Sequence, residues 1–127
     1  MRIGYFDEKF PYFSLADEQG VYPYGGGAIV AYNLAVNIAR KGNEVYFYAT
    51  SVNRQGSRER EHGITVCRYG TWFKLLRRNI SPGLVLRPNA DVDIVHAHIC
   101  SEPFALIAAL RYARREKVPL IINYLED

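Results

Sequence analysis

The chain is poor in sulfur and has no long apolar run. Its 127 residues hold two cysteines, Cys67 and Cys100, in neither a CxxC pair nor a zinc spacing. That pattern argues against a disulfide framework or thiolate metal site, and both are expected as buried thiols. No stretch approaches the roughly 18 apolar residues of a membrane-spanning helix. The opening "MRIGYFDEKF" lacks the apolar core of a secretory leader, so a cytoplasmic location is expected. Formal net charge is only +3, too little to mark a nucleic-acid binder by charge alone. No internal repeat or low-complexity segment is visible. What is present is a hydrophobic fraction of 49%, enough to build one core and one domain, residues 1–127.

Periodicity arranges that apolar content as alternating strands and helices. "RIGYF" (Arg2–Phe6) reads as a buried strand. A long aromatic loop from Asp7 to about Tyr24 follows, and loops of that length are usually functional or disordered. Its aromatic content argues for the former. Ala28–Lys41 is predicted as a helix, with Val30, Leu34 and Ile38 on a buried face beside Ala31, Ala35 and Ala39. Gly42 is placed to stop it. "EVYFYAT" (Glu44–Thr50), "ITVCRY" (Ile64–Tyr69), "DIVHAH" (Asp93–His98) and "LIINY" (Leu120–Tyr124) read as further strands. Glu102–Lys117 is a second strong helix, with Pro103 at its start. "SVNRQGSREREHG" is expected as a polar loop with a helical turn at most, and "SPG" and "RPNADVD" as loop punctuation. "TWFKLLRRN" (Thr71–Asn79) is expected as a short amphipathic helix. It is taken as an ordinary surface helix packed on the sheet. The alternative lays Trp72, Phe73, Leu75 and Leu76 on an anionic membrane surface, with Lys74, Arg77 and Arg78 as the basic side. The order of elements predicts a right-handed βαβ start and an α/β fold, Rossmann-like and doubly wound, with a mainly parallel sheet.

In such sheets ligands bind at the carboxyl ends of the strands, beside the first strand. A strand order of 3-2-1-4-5 would set "YGGG" and "HAHICSE" facing each other across that crevice. Gly25, Gly26 and Gly27 precede a helix, where backbone N–H groups and the dipole favour an anion. The pattern is neither GxGxxG nor GxxxxGK[ST], so a plain tight loop is the equal alternative. His96 and His98, two apart on a strand, share a face. They suit a polar ligand in the cleft or a structural role under a loop. A metal site would need a third ligand from Cys100 or Asp93, and none is expected. Glu126 and Asp127 offer a general base, though solvated carboxylates are the simpler reading.

Three segments, in order, resemble the glycosyltransferases of family 4 with the GT-B fold. "GGGAIVAYNLAVNIARKGNEVYFYAT" is similar to that family's glycine-rich helix-and-strand segment. "DVDIVHAH" is similar to its histidine strand, and "FALIAALRYARREKVPLIINY" to the helix and strand that follow. The resemblance implies a Rossmann-like N-terminal, acceptor-side half of a retaining enzyme that transfers a hexosyl group from a nucleotide-sugar. It implies no cofactor beyond that donor as substrate. It carries donor phosphate or sugar contacts onto Gly25, Gly26 and Gly27, and a cleft role onto His98 and His96. Tyr24, Glu102, Tyr124 and Glu126 are further candidates for the cleft, and no catalytic residue is assigned. Leu125 stands where the family often has a histidine. The C-terminal donor-binding half is expected to be a missing domain or a separate subunit, leaving this domain inactive alone. The expected acceptor is a sugar, glycan or lipid-linked sugar, with peripheral membrane contact through Trp72–Arg78 open and nucleic acid not expected. The alternatives are a stand-alone module binding a phosphorylated small molecule, and an interaction protein using an exposed face.

Overall fold

The computed structural model describes residues 1–10, 26–76, 78–99 and 103–124. Strand β1 (Arg2–Phe6) leads to helix α1 (Gly26–Arg40) and strand β2 (Glu44–Thr50). Strands β3 (Ser57–Glu61) and β4 (Ile64–Tyr69) follow, then a small hairpin of β5 (Phe73–Leu75) and β6 (Arg78–Ile80). A short helix α2 (Pro82–Leu86) precedes β7 (Ile94–Ile99), α3 (Pro103–Glu116) and β8 (Leu120–Tyr124).

The main sheet has the order β3-β4-β2-β1-β7-β8. β4, β2, β1, β7 and β8 run parallel, and β3 is antiparallel to β4. The five strands predicted from sequence thus lie in the order 3-2-1-4-5, with an added antiparallel edge. β1 shows why the strands read as continuous apolar runs: Tyr5 and Phe6 are both buried, on opposite faces. On one face Ile3, Tyr5, Phe47, Ile64 and Val66 pack against α1. On the other, Phe6, Tyr48, Val95 and Ala97 pack against Leu84 of α2 and Ala108, Ala109 and Tyr112 of α3.

Several sequence expectations need correction. The buried stripe of α1 is Ala28, Ala31, Ala35 and Val36, whereas Val30 is 46% exposed. Apolar residues surround this helix, so a four-residue spacing could not choose the face; small alanines win because they let the helix lie close to the sheet. Leu34, Ile38 and Ala39 flank the stripe, half-buried. Gly42 does stop the helix, at φ +91°, and Asn43 Nδ2 donates to the Ile38 carbonyl at 3.0 Å.

The stretch read as a polar loop contains β3. "SRERE" carries no apolar period because it is an exposed edge, and charge protects it from pairing with other chains. The His62–Gly63 turn, with φ of 50° and 80°, joins it to β4 in the way a two-residue hairpin requires. Thr71–Asn79 forms the β5–β6 hairpin rather than a helix, with Leu76 turning at φ 50°. Four apolar residues in a run that short fit either period. Pro82–Leu86 is a short helix where a loop was expected. Among the described residues no helix is long and apolar enough to cross a membrane.

The assignment of the buried face of α1 is testable. Ala35→Leu should destabilise the fold by about 1–3 kcal/mol through overpacking, while Val30→Ala should change it by no more than about 0.5 kcal/mol. Urea denaturation of both variants reads the difference.

Candidate functional site

Strand order reverses between β1 and β7, so the crevice opens at their carboxyl ends. Because α1 runs back from that edge between two parallel strands, its first turn lies there too. Gly26 opens the helix and Gly27 is buried in the first turn. Two of the three glycines are therefore helical rather than in a preceding loop.

β7 supplies the histidines. Val95 and Ala97 pack into the core beneath α3, so the alternating positions Ile94, His96 and His98 turn to the α1 face. His96 lies over Tyr5 with ring centroids 4.6 Å apart, and 6.2 Å from the His98 ring. His98 is only 2% exposed. Asn123 Nδ2, one strand over, stands 3.4 Å from His98 Nδ1. Burial disfavours the imidazolium and lowers both histidine pKa values from 6.5, and for His96 the neighbouring His98 adds to the shift. Both rings are therefore neutral at physiological pH, each able to donate at one nitrogen and accept at the other. Among the described residues, the Nε2 atoms of His96 and His98 and the Tyr5 hydroxyl are buried with no hydrogen-bond partner. Desolvation pushes the Tyr5 phenol up to about 12, keeping it protonated. Three unpartnered polar atoms on the α1 face of the sheet are a departure from the usual pairing of buried polar groups.

The segment after β1 frames the crevice. Asp7 N–H donates to the Tyr48 carbonyl at 3.2 Å, extending the β1–β2 ladder. The Glu8 carbonyl accepts from both the Thr50 N–H at 3.0 Å and its hydroxyl at 2.7 Å. The Glu8 carboxylate, on a residue 1% exposed, accepts from the Phe104 N–H at 3.0 Å in the first turn of α3, where a helix has free donors and a favourable dipole. Arg68, buried in β4, reaches the Phe10 carbonyl at 2.8 Å and Glu59 at 3.1 Å, with its guanidinium 5.2 Å from the Phe10 ring centroid.

Among the candidates from sequence, His96 and His98 come together at the edge where α1 begins. Tyr124 does not join them. It pairs with Ile99, on the α3 face, and is 64% exposed. Tyr24, Gly25, Cys100, Glu102, Leu125, Glu126 and Asp127 lie outside the described residues. Cys67 is a buried free thiol, its pKa raised by burial. Sequence reasoning missed Tyr5, Glu8 and Asn123. Glu8 was findable, as an acid two residues past the first strand at the switch point; Tyr5 and Asn123 carry no signal before register is known. Among the described residues no three His, Cys, Asp or Glu side chains gather as a metal site. An open pocket of about 720 Å³ lies elsewhere, between Val85 and the Ile107–Arg115 side of α3.

A profile of the family described as Glycosyltransferase Family 4 matches residues 24–124 of the chain. No protein of curated function matches it.

Two outcomes follow from the geometry. Replacing Glu8 by Ala should cost about 1–2 kcal/mol by uncapping α3, and Glu8→Gln, which keeps an acceptor oxygen, should cost less in thermal unfolding. The lowered histidine pKa values mean that, below 6.5, the unfolded chain takes up protons that the folded one refuses. The stability is whole above that value and declines as pH falls through it. Urea midpoints at about pH 7.5 and about pH 5 should differ less for His98→Gln than for the parent chain; equal differences would remove His98 as a cause.

Proposed function

The chain belongs to glycosyltransferase family 4, and we propose that it forms the acceptor-side half of a retaining, nucleotide-sugar-dependent glycosyltransferase. The observation that carries this reading is the buried, neutral and unpartnered Nε2 of His98 beside the Nε2 of His96 and the Tyr5 hydroxyl. A bare phosphate would favour cationic partners, whereas neutral donors and acceptors suit sugar hydroxyls. The N–H groups in the first turn of α1, at Gly26 and Gly27, are the part suited to a donor phosphate or sugar.

In the reaction an acceptor hydroxyl oxygen bonds to the anomeric carbon as that carbon's bond to the diphosphate oxygen breaks. The hydroxyl proton leaves with the diphosphate. On this reading the present residues orient hydroxyls and exclude water. The nucleotide is held by a second domain or a separate chain, and this domain transfers no sugar by itself. The donor would be met in the cytoplasm.

Calorimetric titration tests the proposal. Hexose-containing acceptors should bind the chain, and His98→Ala should weaken them about tenfold, the worth of one buried hydrogen bond. Nucleoside diphosphate sugars should bind weakly without the donor-side half. Tight, selective binding of a free nucleotide or of inorganic phosphate by this chain alone would instead mark a stand-alone module for a phosphorylated small molecule.

A further inference from the structure

The β5–β6 hairpin holds its largest apolar side chains out in solvent. Trp72 is 60% exposed, Phe73 55%, Leu75 56% and Leu76, at the turn, 88%. Large side chains clustered this way on a small projection mark a contact surface rather than ordinary surface scatter. Their support is not loose. The Trp72 N–H donates to the Ile80 carbonyl at 2.9 Å and the Thr71 N–H to the Asn53 carbonyl at 2.8 Å. The Thr71 hydroxyl donates to the Ser51 carbonyl at 2.6 Å, and Asn79 Nδ2 to the Thr50 hydroxyl at 3.1 Å. Gly70 lies so close to the Arg54 carbonyl oxygen that a Cβ there would stand 2.1 Å from it. A rigid base thus carries an apolar tip.

Charge selects what the tip meets. Lys74 and Arg78 stand on the hairpin, Arg77 lies between them in sequence, and Arg54 lines a hollow with Trp72 and Phe73. The sequence holds no acidic residue between Glu61 and Asp91. A two-fold contact between copies of this chain through the hairpin would set these cations against their own counterparts, which is repulsive. An aromatic and leucine tip ringed by lysine and arginine matches the boundary of an anionic bilayer, where tryptophan rings sit at headgroup level and cations meet lipid phosphates.

We propose that the β5–β6 hairpin is a membrane-docking element for anionic lipid bilayers, inserting Trp72, Phe73, Leu75 and Leu76 with Lys74 and Arg78 against the headgroups. This inference stands on the hairpin and does not require the acceptor-side reading. The surface lies on the same edge as the crevice, because the hairpin root is bonded to Thr50, which is bonded to Glu8.

Trp72 is the single tryptophan, so its fluorescence reports the event directly. With vesicles of phosphatidylcholine containing about one-third phosphatidylglycerol, its emission should shift to the blue and be quenched by brominated acyl chains. The shift should be small with phosphatidylcholine alone and should weaken with salt, while soluble glycerol phosphate leaves it unmoved. Leu76→Asn suits the turn's positive φ, keeps the fold by far-ultraviolet circular dichroism, and should cut vesicle affinity by about tenfold. Lys74→Glu with Arg78→Glu should abolish the preference for anionic lipid. An emission unmoved by vesicles, equal binding by the Leu76 variant, or a shift that tracks protein concentration without lipid would each overturn the proposal. The last of these would assign the surface to a second copy.

Discussion

Glu8 joins three parts of the molecule at one edge of the sheet. Its backbone carbonyl takes two hydrogen bonds from Thr50, which fixes where β2 ends relative to β1. Its carboxylate takes the Phe104 N–H, which fixes where α3 begins after β7. Thr50 in turn accepts from Asn79 of the hairpin. The switch point therefore has one buried residue tying together the ends of β1 and β2, the start of α3 and, through Thr50, the root of β5–β6. Two residues on, Arg68 holds the Phe10 carbonyl, so the chain leaves the sheet along a set path. Removing a partner of such a buried group costs more than the bond gains when present, which makes this edge a cooperative unit.

The crevice beside it carries the opposite kind of energetics. Tyr5, His96 and His98 keep buried polar atoms without partners, each costing roughly 1–3 kcal/mol if unanswered. Packing offsets some of this: Tyr5 stacks on Phe47 at 5.9 Å and lies against His96. Neutrality removes the larger charge penalty, since burial keeps both imidazoles unprotonated. What remains is a set of polar atoms held in place and unsatisfied. The Tyr48 and Ser81 hydroxyls are also buried without a partner, but among the described residues only beside β7 do three such atoms share the α1 face of the sheet. Such departures from local rules are expected where a fold serves a ligand.

Sequence and structure agree where one physical signal dominates. Parallel strands buried on both faces must be apolar throughout, so five of them were legible, whereas their order was only assumed from the doubly wound pattern. The two histidines were legible because a period of two puts them together whatever their surroundings. Legibility failed where two signals competed or none existed. β3 is held by hydrogen bonds to β4 and has no apolar residue to announce it. The Trp72–Arg78 stretch satisfies helical and strand periods alike, and only its register with Ile80 decides. α1 is apolar on too many sides for spacing to find its buried face. Tyr124 looked like a cleft residue by position in sequence, but register places it on the far face.

Register is also what aims the histidines. β7 lies between β1 and β8, with His96 opposite Tyr5 and Ile121, and His98 opposite Asn123. A slip of one residue would turn both imidazoles into the layer under α3, where Ala108, Ala109 and Tyr112 pack on Val95 and Ala97. That layer is apolar apart from the Tyr48 and Tyr112 hydroxyls, and Val95 and Ala97 would lose their burial together. The small, tightly packed residues beneath α3 therefore do more than stabilise the domain. By accepting only the apolar half of "IVHAHI", they hold the polar half on the other face, at the edge that Glu8 organises.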